Sequence, residues 1–265
     1  MKLLIVEGNN EETRVQRGAF GIKPYHLLFK EMLHFLVPNA ETQSVFPADG
    51  IKDLPSISQL QEFDGVLWTG SSLSVTNAIP DVTRQLDFAE TIFQSGTPLY
   101  GSCWGLQVAT VAAGGEVGRS ANGLEFGISR PIELTQKGVE SPFFEGRSLN
   151  YAALCIHYDV VLKLPQNANV LASNSHSLIQ AMTFDYKKSS FFGVQYHPEL
   201  NTEQMSLITT CIEEKLVGTG SFATLEEVRA FTKGLSEQDN LPDEITNYTL
   251  HTQEIKAWLD SIAKT

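Results

Sequence analysis

The run LYGSCWGLQVATVAAGG, Leu99 to Gly115, restricts the possible folds more than any other part of the sequence. An apolar strand ends at a cysteine framed by Gly101 and Gly105, and a helix of small residues begins almost at once. A side chain at the tip of so tight a strand-to-helix turn is driven toward unfavourable backbone angles, and bulk two positions before or after it would clash. A structural cysteine needs no such frame, whereas a reactive one presented at a strand end does. Such a turn sits at the carboxyl end of a parallel strand, where open α/β sheets place their ligands. The helix that follows aims free N–H groups and a positive dipole end at the sulfur. That field favours the thiolate, the nucleophilic form.

The rest of the chain suits such a sheet. Short apolar runs at 3–6, 43–46, 65–68 and 98–100 read as strands. Helical spacing at 25–36, 81–94 and 106–113 places helices between and after them. Alternation of this kind predicts a parallel sheet with helices on both faces. The second half adds strands at 128–134, 153–156, 160–164, 170–172, 179–184 and 191–195, then a helix at 203–216. From residue 224 onward the pattern is helical again, so we expect one domain over 1–218 and a C-terminal helical extension over 219–265 that packs on it.

Charge and cysteine usage exclude several function classes. The net charge is −12 and no window gathers Lys and Arg into a stripe, which argues against nucleic acid or an anionic membrane as partner. The opening apolar run stops at Glu7, too early for a signal peptide or a membrane span. Three cysteines, Cys103, Cys155 and Cys211, cannot all pair and match neither a redox pair nor a zinc site, which suits a reducing cytoplasm. His26, His34, His176 and His251 show no metal-ligand spacing, Gly8 to Asn10 reads as a turn, and no phosphate loop is present. We therefore expect no metal and no cofactor.

A nucleophilic thiolate needs an acid and base, and FFGVQYHPEL supplies one at the end of another strand. His197 follows the apolar run, and Glu199, held by Pro198, lies two residues on, where a carboxylate can orient the imidazole. The order Cys, His, Glu differs from the Ser, acid, His order of α/β-hydrolases. His157 and Asp159, at another strand end, either support the site or bond neighbouring backbone.

GSCWGLQ followed far downstream by QYHPE resembles the class I glutamine amidotransferase family, with its G-x-C-x-G-x-Q elbow and its H-P-E strand end. LWTGSSLSV is similar to the family's oxyanion segment, NGLEFGI to its substrate-flanking segment, and IHYDVVLKLP with VLASN to its histidine-aspartate strand pair. The resemblance implies a flavodoxin-like open, mostly parallel sheet. It also implies attack by Cys103 on the γ-amide of glutamine or a γ-glutamyl conjugate, giving a glutamyl thioester that His197 and Glu199 help to form and hydrolyse. By the same resemblance, backbone N–H groups of Ser71 and Trp104 form the oxyanion hole, while Gly70, Gln107, Glu125, Phe126 and Gly127 hold the small-molecule substrate. TGSS departs from the usual Gly-Gly-Pro, and the Trp104 indole stands beside the cysteine, where it could narrow or extend the pocket or, on the binding-protein reading, block it. Three functions stay open on these grounds: a stand-alone γ-glutamyl hydrolase, a glutaminase subunit delivering ammonia to a separate synthetase, and a non-catalytic binding protein on the same scaffold.

Overall fold

The computed structural model describes residues 1–263. Residues 264 and 265, the end of the expected extension, lie outside the described residues. Eleven strands follow in chain order: β1 (Lys2–Val6), β2 (Glu41–Val45), β3 (Gly65–Trp68), β4 (Leu99–Ser102), β5 (Glu116–Arg119), β6 (Glu125–Leu134), β7 (Asn150–His157), β8 (Asp159–Lys163), β9 (Asn169–Ser173), β10 (Ala181–Tyr186) and β11 (Ser189–Val194). Nine of them form one sheet in the order β2-β1-β3-β4-β11-β10-β9-β6-β7, and β5 pairs with β8 in a separate ribbon. Strands β2, β1, β3, β4 and β11 run parallel, and β10, β9, β6 and β7 continue the sheet in antiparallel steps.

Alternation along the parallel strands builds two apolar faces. Leu4, Val6, Trp68 and Leu99 face the helices Pro80–Ser95 and Trp104–Ala112 through Phe88, Ile92, Phe93, Leu106 and Val108. Leu3, Ile5, Leu67 and Tyr100 face the helix Tyr25–Leu36 and the final helix Gln253–Ile262. Helices thus cover both faces, as the alternation predicts.

The C-terminal helices are tied to this core. Ile255, Trp258, Leu259 and Ile262 join the second face, and a Cβ on Gly65 would meet Ile262 Cδ1 at 2.7 Å and Trp258 at 2.9 Å. Arg147 and Glu254 form a buried ion pair at 2.7 Å that anchors the same helix. Truncating Trp258 to alanine is expected to cost about 3–5 kcal/mol, read from a urea unfolding curve, because the indole is only 2% exposed. A cost below about 1 kcal/mol would show that the helix is not part of the cooperative core.

Two differences from the sequence pattern have physical causes. The helix expected over 203–216 breaks at Ile212 into Thr202–Cys211 and Glu213–Gly218. The helix Glu11–Gly18 carries no apolar stripe to betray it, since it buries no residue. Its start is fixed instead by the Asn10 side chain, which accepts from the Thr13 N–H, and by Glu11 and Glu12 in the first turn.

Candidate active site

Three adjacent parallel strands deliver the site. β4 ends at the cysteine turn, β3 beside it ends at TGSS, and β11 on the other side ends at the His-Pro-Glu turn. Pairing of Trp68 and Val194 with the end of β4 puts the three strand ends level. The Cys103 N–H donates to the Val194 carbonyl at 2.8 Å, and the His197 N–H donates to the Leu154 carbonyl of β7 at 2.8 Å.

Cys103 stands at φ 46°, ψ −96°, outside the comfortable region for an L side chain, and caps the helix Trp104–Ala112. The glycine frame does what the sequence pattern demands. A Cβ on Gly101 would lie 2.5 Å from the Gly105 carbonyl carbon, and one on Gly105 would lie 2.6 Å from the Trp68 oxygen. Gly70 lies under the imidazole, where a Cβ would come within 2.6 Å of His197 Cε1.

His197 is buried, with Nδ1 2.6 Å from Glu199 Oε1 and no hydrogen-bond partner at Nε2. Burial pulls the imidazolium down, but the charges of Glu199 and Cys103 outweigh it and hold the group well above the ordinary histidine range. The ring of Tyr25 stacks on the imidazole with centroids 5.6 Å apart, a contact with no local signal in the sequence. The turn after β1 reaches across to the TGSS segment, where Asn9 Oδ1 accepts from the Ser72 N–H at 2.8 Å and Ser71 Oγ donates to the Gly8 carbonyl at 3.0 Å. These bonds brace the TGSS segment, which contains no proline.

Cys103, His197, Ser71, Gln107, His157 and Asp159 line one cavity of about 620 Å³. Glu199 sits behind His197, against its Nδ1. Gln107 donates to the Asp159 carbonyl at 2.9 Å, and Ser74 Oγ donates to the Asp159 carboxylate.

Four other residues are not brought to this cavity by their side chains. The Trp104 indole turns into the core and donates to Gln85 Oε1 at 2.8 Å, so it neither shapes nor blocks the pocket. Phe126 packs on Phe222, in the loop before the helix Leu225–Glu237, and on Phe231 within that helix, and Gly127, at φ 90°, lies beneath Phe231.

Glu125 is saturated internally, accepting from Asn174 at 2.6 Å, Gln180 at 2.8 Å and Ser129, with His157 Nε2 at 2.9 Å. It has no free oxygen to offer a substrate ammonium. Burial pushes its carboxyl up, but His157, Ser129 and Asn174 prevail and lower it to about 2. A carboxyl depressed from about 4.5 stabilises the fold above that value and loses the contribution as pH falls toward about 2. Glu125→Gln is therefore expected to unfold at lower urea than the parent at pH 7, with the gap narrowing below pH 4.5. A gap that stays constant down to pH 2.5 would remove the ionised network as its cause.

Glu125, Cys155 and His157 also bring ligand atoms within 4.8 Å of one another. Sequence spacing misses this group because it arises from cross-strand register, Glu125 opposite His157 and Gly127 opposite Cys155. Its carboxylate is already committed to internal donors, which leaves it a poor metal ligand. Among the described residues no helix is long and apolar enough to cross a membrane.

Comparison with known proteins bears on the same site. The family profile for glutamine amidotransferase class-I matches residues 30–212. A γ-glutamyl-L-1-hydroxyisopropylamide hydrolase from a Pseudomonas species is 34% identical over 99% of this chain and 93% of its own length. One subunit of a glutamine-hydrolysing GMP synthase from Sulfolobus acidocaldarius is 29% identical over 68% of this chain and 86% of its own. Among solved structures, a glutamine amidotransferase from Thermotoga maritima superposes with a TM-score of 0.73 at 16% identity, covering 100% of this chain and 99% of the other.

Proposed function

The chain belongs to the class-I glutamine amidotransferase family, and from that premise we propose that it hydrolyses the γ-amide bond of γ-glutamyl conjugates of small amines, using Cys103, His197 and Glu199. The observation that carries this reading is the union, in one cavity, of a strained elbow cysteine with an imidazole backed by a buried carboxylate at 2.6 Å. The cavity, about 620 Å³, lies in the range that holds drug-sized ligands, more than glutamine alone requires.

The reaction proceeds in two halves. Cys103 Sγ attacks the amide carbon, and the carbonyl oxygen becomes an oxyanion against the N–H groups of Ser71 and Trp104, each such donor contributing about 2.7–4 kcal/mol. His197 Nε2 gives its proton to the leaving nitrogen, the C–N bond breaks and an amine departs, leaving a glutamyl thioester. Water then gives a proton to Nε2 and attacks the thioester. The C–S bond breaks, glutamate leaves, and the thiolate and imidazolium are restored. Asp159, rather than Glu125, faces the glutamyl ammonium, since it is the carboxylate that lines the cavity beside Gln107.

The second reading, a glutaminase subunit serving a separate synthetase, draws on the similarity to the GMP synthase chain from Sulfolobus. It is the weaker one because that likeness spans 68% of the chain, whereas the Pseudomonas hydrolase spans 99%. The test is glutamate release by the purified chain from glutamine and a panel of γ-glutamyl amides, beside Cys103→Ala. Rapid Cys103-dependent turnover of a conjugate with glutamine poor supports the hydrolase. Slow turnover of glutamine alone favours the synthetase-partner reading, and no turnover of either overturns both.

A further inference from the structure

Three cationic side chains line the cavity, Arg17, Arg119 and Lys215, in a chain whose net charge is −12. None is paired with a carboxylate among the described residues, and aromatic faces carry them instead. Arg119 lies 3.6 Å and Lys215 4.9 Å from the centre of the Tyr158 ring, on the wall that also holds His157 and Asp159. Arg17 is held by a different tyrosine. Its guanidinium covers Tyr25 at 5.0 Å and donates at 3.3 Å to Tyr25 Oη and to Ser72 Oγ. Tyr25 in turn stacks on His197, so guanidinium, phenol and imidazole form one column.

Two cationic positions carried by two tyrosines, one stacked on His197 and the other beside Asp159, offer sites for two anionic groups. On the proposed reaction, Gln107 and Asp159, which line the cavity beside Tyr158, would hold the glutamyl head, and Arg119 and Lys215 would answer its single α-carboxylate. The scissile nitrogen has to reach His197 Nε2, which puts the departing amine on the wall of Tyr25 and Arg17. There the guanidinium has donors to spare after its two long bonds to neutral hydroxyls. A carboxylate matches that planar fork, with two parallel N–H···O bonds, better than a hydroxyl or a hydrocarbon does.

We infer that Arg17 is a specificity residue that binds a carboxylate on the leaving amine, so that the preferred substrates are γ-glutamyl amino acids rather than glutamine or conjugates of neutral amines. The inference rests on the hydrolase reading and sets this chain apart from the Pseudomonas relative, whose name specifies a neutral hydroxyisopropylamide.

The test compares γ-glutamyl-L-alanine with γ-glutamyl-L-1-hydroxyisopropylamide, which carry a carboxylate and a hydroxymethyl group at the same place. The parent is expected to favour the alanine conjugate in kcat/KM by about 10-fold or more, mostly through KM, the size of one charge-assisted hydrogen bond. Arg17→Gln should bring the ratio to within about 3-fold of unity, and Arg17→Lys should restore part of it. Equal or faster turnover of the neutral amide by the parent, or an unchanged ratio in Arg17→Gln, overturns the inference and leaves the hydrolase standing. Should Arg17→Gln fail to fold, the parent's ratio and that of Arg17→Lys decide. Absence of Cys103-dependent glutamate release from both conjugates overturns the hydrolase reading and the inference with it.

Discussion

Cys103→Ala and Cys103→Gly both lose turnover, by about 10⁶-fold, but they part company in stability, with glycine the more stable of the two by about 1 kcal/mol. At ordinary positions the order is the reverse, because glycine gives up more chain entropy on folding, about 0.5–1 kcal/mol relative to alanine. The inversion is expected because the residue stands at φ 46°, ψ −96°. Alanine retains a Cβ and with it the strain, whereas glycine retains neither. Both variants remove the thiol, so their difference isolates the backbone. The measurement is a pair of urea unfolding curves alongside glutamate release from a γ-glutamyl conjugate. If alanine proved the more stable, the elbow would store no strain at this residue. If either variant kept more than a trace of activity, the sulfur would not be the nucleophile.

That elbow was legible because several local demands coincide in a few residues. Gly101 and Gly105 are required by backbone contacts at 2.5 and 2.6 Å, and both glycines lie within two residues of the cysteine. The parallel strands and their flanking helices were legible for a related reason, since period-2 and period-3.6 burial write themselves directly into the order of apolar residues. His197 and Glu199 could be picked out because a strand end and a fixed proline bring imidazole and carboxylate together within three positions.

What stayed hidden depends on contacts between distant segments. Tyr25 meets His197 from a helix distant in sequence, and Asn9 braces Ser72 because β1 and β3 are neighbours in the sheet. Glu125 resembled a substrate ligand in its motif. Cross-strand pairing with β7 and the side chains of Ser129, Asn174 and Gln180 instead consume its oxygens. Trp104 follows Cys103 directly, yet a helix turns successive residues by about 100°, and Gln85 waits in the core for its indole N–H. Motif matching locates the backbone of a site better than it locates the side chains that face the substrate.

Glu199→Gln is expected to lower kcat by about 10³–10⁴-fold while leaving the cavity intact, since the orienter touches His197 and not the substrate. Glu199 is 2% exposed, its one hydrogen-bonded oxygen lies 2.6 Å from the imidazole and the other has no partner, so the imidazole is the group it touches directly. That charge is a main reason His197 stays protonated well above the ordinary histidine range, against burial that acts the other way. The acid form needed to expel the amine therefore persists through neutral pH, and activity declines as pH rises through the raised value. Without the carboxylate the same decline should begin at lower pH, so the alkaline limb of the kcat profile moves down. Stability follows the same sign. The ion pair contributes fully below the unfolded imidazole value of about 6.5 and is lost as pH climbs through the folded value. The deficit of Glu199→Gln should thus be larger at pH 6 than at strongly alkaline pH. A pH profile of kcat in both proteins decides the matter. If the alkaline limb stays in place after the carboxylate is gone, Glu199 does not set the protonation of His197, and its part at the site reduces to packing.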